Sequence, residues 1–144
     1  AYACKRLYTS PALIIDFGTA TTFDLLNKKG EYEGGLITPG AGIAIEALAE
    51  KTALLPKIKL GQPKRLIGKN THDSIKSGII YGLTSMTDGL IDKIQYGRKT
   101  PLFVLATGGL SHIMAKYSKC IDKIDDSLIL KGLYLIYYDK MRSV

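Results

Sequence analysis

Apolar positions along the chain fall into two periods, and the change from one to the other marks out its elements. Residues 12 to 17, ALIIDF, form a short run of branched apolar side chains that ends at a Gly-Thr turn, the pattern of a buried strand. TTFDLLN and EYEGGLI follow on either side of Lys28-Lys29-Gly30, and two strand-like runs around a short glycine-bearing connection predict a hairpin with an irregular turn. Three successive strands are therefore expected, with Gly18-Thr19-Ala20-Thr21 as the first turn between them. Ahead of them, AYACKRLY reads as part of a helix.

Pro39-Gly40 stops the third strand. AGIAIEALAEKTA then spaces Ile43, Ala47 and Leu48 as one face of an amphipathic helix, closed by Leu54-Leu55-Pro56. The following stretch, basic and rich in proline and glycine, predicts an extended crossing loop up to Lys69-Asn70-Thr71, where Asn70 or Thr71 caps the next helix. From Thr71 to about Gln95, Ile75, Ile79, Leu83, Leu90 and Ile94 recur at helical spacing. Gly78 and Gly82, one turn apart, imply close approach of another backbone, in a soluble core or a subunit contact. PLFVLATGGL repeats the opening theme, with a buried strand at 101 to 106 running into a Thr-Gly-Gly turn and a helix around Ser111 to Tyr117. Asp126 to Lys140 reads as a closing helix, with Asp125-Asp126 matching its dipole. No internal repeat or long linker divides the chain, so a single domain over 1–144 is expected.

Composition narrows the class. A chain of 144 residues, 46% hydrophobic and 23% charged, suits one globular domain. Asp, Lys or Arg interrupts every apolar stretch well short of the about 18 residues a bilayer span needs, so a soluble chain with no membrane role is expected. Cys4 and Cys120 stand in no C-x-x-C or zinc-ligand spacing, which argues against a disulfide framework or metal knuckle and fits a reducing cytoplasm. His72 and His112 stand in no ligand spacing either and read as surface residues. The net charge is +7, with Lys57, Lys59, Lys64, Arg65 and Lys69 in one acid-free stretch, which reads first as a solvated basic loop; nucleic acid is disfavoured as a partner. Tyr134, Tyr137 and Tyr138 form a helical aromatic cluster suited to a core or a subunit contact. The first residue is Ala1, and the chain is read as a fragment or processed piece.

Two turns carry candidate chemistry. A strand that ends in Asp16 and turns through Gly18 can place a carboxylate at the strand end while bare backbone N–H groups approach phosphate oxygens. Thr19, Thr21 and Thr22 add hydroxyls, a set suited to ATP phosphates and an associated cation. On its own, D-x-G-T is equally an ordinary hairpin turn. Thr107-Gly108-Gly109 is a second such turn between a buried strand and a helix start, able to accept an anion or a flat adenosine. Together the turns suggest a nucleotide cleft that is neither a P-loop nor a strand-linked G-x-G-x-x-G.

Six blocks in order then give a specific resemblance. D-F-G-T-A-T-T (16 to 22), G-G-L-I-T-P-G (34 to 40), T-A-L-L-P (52 to 56), N-T-H-D-S-I-K-S-G (70 to 78), A-T-G-G-L (106 to 110) and D-D-S-L-I-L-K-G-L (125 to 133) resemble the C-terminal half of type III pantothenate kinases. The resemblance implies an α/β fold, a ribonuclease H-like domain of the actin-like ATPase superfamily, with a mixed sheet of three N-terminal strands and flanking helices. It implies ATP-dependent phosphorylation of pantothenate to 4′-phosphopantothenate, the first step of coenzyme A synthesis, in a cytoplasmic homodimer using Mg2+ and a monovalent cation, K+ or NH4+. By the same resemblance Asp16 binds the monovalent cation, Thr19 contacts ATP, Gly108 and Gly109 form the adenosine-side loop, and Thr71 contacts pantothenate at the dimer interface. Gly18, Thr21, Thr22 and Thr107 complete the expected cofactor-binding set.

The family's first phosphate loop, D-x-G-N-T, and its G-x-D-R segment with the general-base aspartate have no match in this sequence. Both are expected upstream of Ala1, so no catalytic residue is assigned here and the chain is expected to be a C-terminal domain lacking its N-terminal partner, inactive alone. Ala44 stands where many relatives carry serine, at a position that looks structural. Two other readings stay open: a kinase of the superfamily with another acceptor, and a paralogue turned non-catalytic transcriptional accessory or regulatory protein.

Overall fold

The computed structural model describes residues 1–142. Three antiparallel strands, β1 (Ala12–Phe17), β2 (Ala20–Leu26) and β3 (Tyr32–Pro39), form a meander. β4 (Phe103–Thr107) returns parallel to β1 on its free side, and the two-residue β5 (Lys123–Ile124) pairs parallel with β4, giving the order β3-β2-β1-β4-β5. β1 is thus central and buried on both faces, which is why ALIIDF reads as continuous rather than alternating apolar sequence.

The strand alternation sorts side chains into two cores. Leu13, Ile15 and Phe17 of β1, with Phe23 of β2, pack under Ile80 and Ile91 of the long helix α3 (Thr71–Gln95). On the other face Ala12, Ile14, Leu26 and Leu105 meet Ala3 and Cys4 of α1 (Tyr2–Leu7) and Leu128 of α5 (Leu128–Arg142). Asn70 caps α3 by accepting the Asp73 N–H at 2.9 Å, one of the two residues expected to do so.

Three expectations are corrected by packing. Of the expected α2 (Ala41–Lys51) face Ile43, Ala47 and Leu48, only Leu48 packs inward, beside Ile45, which meets Ile58 and Ile75; Ile43 is 39% exposed and Ala47 is exposed too. The helix's rotation is set at Gly40, whose N–H reaches Thr19 O at 3.1 Å and whose missing Cβ would lie 2.3 Å from that oxygen. Among the described residues Gly78 and Gly82 meet no other backbone, since a Cβ at either would touch nothing within 4 Å; both are exposed on α3, which removes the core alternative for this pair and leaves the subunit contact. Tyr134 and Tyr137 are likewise exposed on α5, at 64% and 65%, so the tyrosine cluster is not core. β4 begins at Phe103, two residues later than expected, and α4 (Ser111–Ala115) ends sooner.

Asp125, just before α5, fixes the helical layer to the sheet. Its N–H donates to Ala106 O at 2.9 Å, while its buried carboxylate accepts from Tyr8 Oη at 2.7 Å and Lys131 Nζ at 2.8 Å, and from Ser127. Burial alone would raise its pKa, but these donors outweigh it and hold the carboxyl at about 2. The same bond to Asp125, with burial second, pushes the Tyr8 phenol up to about 12.

A depressed carboxyl contributes stability that is complete above its unfolded value, about 4, and is lost as pH falls through the folded one. The raised phenol contributes stability that is complete below about pH 10 and is lost as pH rises through its folded value. Asp125→Asn should therefore cost about 1.5–3 kcal/mol at neutral pH and flatten the acid limb of a urea-midpoint profile taken from roughly pH 5 to 2. An unchanged profile would show that the carboxylate contributes nothing.

Candidate functional site

β1 and β4 run parallel and end level, so Asp16 lies opposite Thr107; on its other side β2 places Thr22 opposite Asp16. The three side chains share the face that Ile14 begins, with the carboxylate between two hydroxyl-bearing neighbours. Two residues along β2, diagonal to Asp16, Asp24 occupies the same face. Asp16, Thr22, Asp24 and Thr107 form the sheet side of a cavity of about 330 Å³, and Leu128 and Leu133 of α5 help close it.

The two glycine turns meet above this carboxylate. Gly108 has φ +90°, and a Cβ there would lie 2.3 Å from Asp16 Oδ1 and 2.8 Å from Phe17 N, so only glycine lets the loop lie against the end of β1. Leu110 N–H donates to Phe17 O at 3.3 Å, and Gly18 N–H to Ala20 O at 3.2 Å, which ties each turn to the sheet. Behind them, Asp126 accepts from Ser111 Oγ at 3.2 Å and pairs with His112 Nε2 at 2.7 Å, so His112, exposed at the surface as expected, joins α4 to the β5–α5 connection.

The sequence-predicted residues are thus partly brought together. Asp16, Thr22 and Thr107 line the cavity, with Gly18 and Gly108 against the Asp16 carboxylate. Thr19 is exposed at the crest of its turn, and Gly109 is exposed with open space around it. Thr21 is different: it pairs with Phe17, is 2% exposed and faces the α3 core, so its hydroxyl does not reach the cavity. Thr71 lies elsewhere, exposed at the start of α3, where it lines a second cavity of about 480 Å³ with Leu48, Leu55, Ser74 and Gly78.

Burial first, and then the negative charge of Asp24, raises the Asp16 pKa above the ordinary carboxylate value. Among the described residues neither Asp16 nor Asp24 has a hydrogen bond or ion pair, and the one buried side-chain hydroxyl without a partner is that of Thr87 on α3, away from this cavity. The polar side chains facing the cavity all offer oxygen, a set that fits a hard cation rather than a soft metal. Asp24 was missed in the sequence reading; the alternation of buried Thr21 and Phe23 with Thr22 and Asp24 is the signal that places it beside Asp16.

A mixed sheet whose parallel β1 and β4 both end in glycine turns around one carboxylate is the domain of an actin-like ATPase fold. Solved structures show the same fold: a putative Baf family transcriptional activator from Campylobacter jejuni, at TM-score 0.66 and 20% identity, covers 98% of this chain and 63% of its own. The activator of the 2-hydroxyisocaproyl-CoA dehydratase from Clostridium difficile with bound ADPNP, at TM-score 0.61 and 14% identity, covers 99% and 65%. The family model for type III pantothenate kinase matches residues 1–93. Type III pantothenate kinases of Moorella thermoacetica and Halalkalibacterium halodurans are 46% identical over 135 and 137 residues, and the chain belongs to the type III pantothenate kinase family. These matches take in 94% and 95% of this chain but 53% and 54% of those proteins, so the chain spans about half the length of the curated relatives it matches.

The glycine pair gives a matched test of the geometry. Gly108→Ala should cost about 1–3 kcal/mol in urea unfolding, because it combines a left-handed backbone with a contact that must give way. Gly109→Ala, with nothing within 4 Å of its Cβ, should change stability by no more than about 0.5 kcal/mol. Equal effects would mean that the loop does not lie on Asp16.

Proposed function

We propose that this chain is the nucleotide-binding, C-terminal part of a kinase that transfers a phosphoryl group from ATP to pantothenate, giving 4′-phosphopantothenate for coenzyme A synthesis in the cytoplasm. The observation that carries the reading is the Asp16 carboxylate flanked by Thr22 and Thr107 beneath two glycine turns, in a chain of this family. Phosphoryl transfer asks mainly for positioned donors and cations rather than covalent work by the protein.

In this reading Gly18 and Thr19 approach the phosphates with backbone N–H and hydroxyl, and Gly108 and Gly109 present a bare backbone to adenosine. Thr22 and Thr107 orient oxygens about Asp16, which holds a monovalent cation, and the nucleotide arrives with Mg2+. Thr21 serves the fold, since its side chain is committed to the core. Thr71, in its separate cavity, contacts pantothenate where a second copy of the chain completes a dimer along the open Gly78–Gly82 face. The general base belongs to the part of the relatives that this chain does not span.

Calorimetric titration with ADP in Mg2+ should show binding to the 144-residue chain, weakened about tenfold or more by Asp16→Asn and unchanged by Thr71→Ala. Without the general base the same chain should phosphorylate pantothenate slower than a full-length relative by a factor of at least about 10²–10⁴. Turnover at a full-length rate, or no ADP binding at all, would sink the assignment.

A further inference from the structure

Helix α5 is apolar on more sides than the sheet covers. Leu128 and Leu135, two turns apart, face inward and pack with Ala12, Ile14 and Leu105. Leu130, Tyr134, Tyr137 and Met141 recur at helical spacing on another side, and these four are 63–69% exposed. Leu133 and Ile136 lie beside them and are exposed as well. A helix that is apolar nearly all round belongs to an interior, and an exposed apolar patch of this extent marks a surface that another body covers.

What surrounds the patch identifies its occupant. α1 is clipped to α5, since Tyr2 and Arg6 both donate to Asp139, and Ala1, Tyr2, Leu133 and Ile136 line one cavity. A segment that runs into Ala1 therefore arrives at the rim of the exposed face. The same cavity is walled by Asp16, Thr22 and Thr107, so a body seated on α5 also faces the carboxylate across the cleft. This chain accounts for 53% and 54% of its curated relatives and for 63% and 65% of the solved structures that share its fold, so all four continue beyond the matched part. A second copy of this chain is the poorer fit: α3, whose open Gly78–Gly82 side carries the twofold contact in the functional reading, packs on the opposite face of the sheet.

We infer that the outward face of α5 is the seat of the N-terminal half that the relatives carry and this chain does not span, and that the half seated there forms the facing wall of the nucleotide cleft. Apolar contact over α5 holds the two parts together. The shared cavity couples their union to nucleotide, each strengthening the other by the same factor. The inference rests on reading the chain as the C-terminal part of the kinase, to which it adds the joining surface and that coupling.

Hydroxyl-radical footprinting read by mass spectrometry measures the exposure of these side chains without substitution. In the 144-residue chain Tyr134, Tyr137 and Met141 should oxidise readily, as should Tyr96, which is 90% exposed at the far end of α3. In a chimaera that joins the unspanned half of the Moorella thermoacetica kinase to Ala1, the three α5 side chains should lose most of their reactivity while Tyr96 keeps its own. The full-length Moorella thermoacetica kinase, which has no engineered junction, is the second measurement: its side chains aligned with Tyr134, Tyr137 and Met141 should be protected. Calorimetry should find ADP bound about tenfold more tightly by the chimaera than by the 144-residue chain. Tyr134→Glu with Tyr137→Glu should abolish that gain and leave the melting temperature of the 144-residue chain unchanged. Reactive side chains at the aligned positions of the full-length kinase overturn the inference whatever the chimaera does. So does protection of α5 in the 144-residue chain that disappears on dilution, which assigns the face to a second copy. If the inference falls while the 144-residue chain binds ADP, the nucleotide reading survives it; protection of α5 in a chimaera that binds no ADP keeps the docking face and removes the nucleotide reading.

Discussion

The contact on which the candidate site depends is the one between Gly108 and the end of β1. Parallel pairing sets Thr107 beside Asp16, and the next residue turns back with φ +90° so that its backbone lies on the Asp16 carboxylate and the Phe17 amide. A side chain at Gly108 would hold the turn away from β1, and a shift in the β1–β4 register would send Asp16 to the wrong neighbour. The position of the carboxylate is therefore decided by a ladder and a missing Cβ, both features of the backbone. A site on strand ends in a central sheet is held more rigidly than one built on a free loop.

That rigidity explains which parts were legible in the sequence. β1 could be read to the residue because burial on both faces leaves an unbroken apolar run closed by a turn, and α3 because its cap at Asn70 and its apolar period agree. Asp16 and the Thr-Gly-Gly turn were visible as two separate local patterns. Their adjacency was not, since parallel pairing joins residues about ninety positions apart and leaves no local trace. β5, two residues long, has no period to detect. The α2 face was misjudged because its rotation is fixed by Gly40 against Thr19 and by contact with Ile58 and Ile75, all outside the helix itself.

Thr21 and Asp24 show the same limit from opposite sides. Both follow from the two-residue alternation of β2, but only once the register with β1 says which face is which. The motif D-F-G-T-A-T-T suggests that every threonine in it serves a ligand. The ladder gives Thr22 to the cavity and Thr21 to the core, and gives the cavity an aspartate just beyond the motif. Asp24 was legible in principle and was passed over because it lies outside the glycine turn.

The electrostatics of the cavity run against those of the rest of the chain. The chain carries a net +7, yet its two unpaired carboxylates share one partly buried face while lysines and arginines lie elsewhere. Asp125 shows the ordinary solution in the same fold: a carboxylate more deeply buried than Asp16 is stabilised by Lys131, Tyr8 and Ser127 and titrates near 2. Asp16 receives no such donors and is pushed upward by burial and by Asp24. Local rules of charge satisfaction are thus obeyed where α5 is anchored and broken a few residues away, where β1, β2 and β4 end together. A sequence that can neutralise a buried carboxylate, and does so at Asp125, leaves Asp16 and Asp24 facing a cavity in which the missing positive charge has room to come from a ligand.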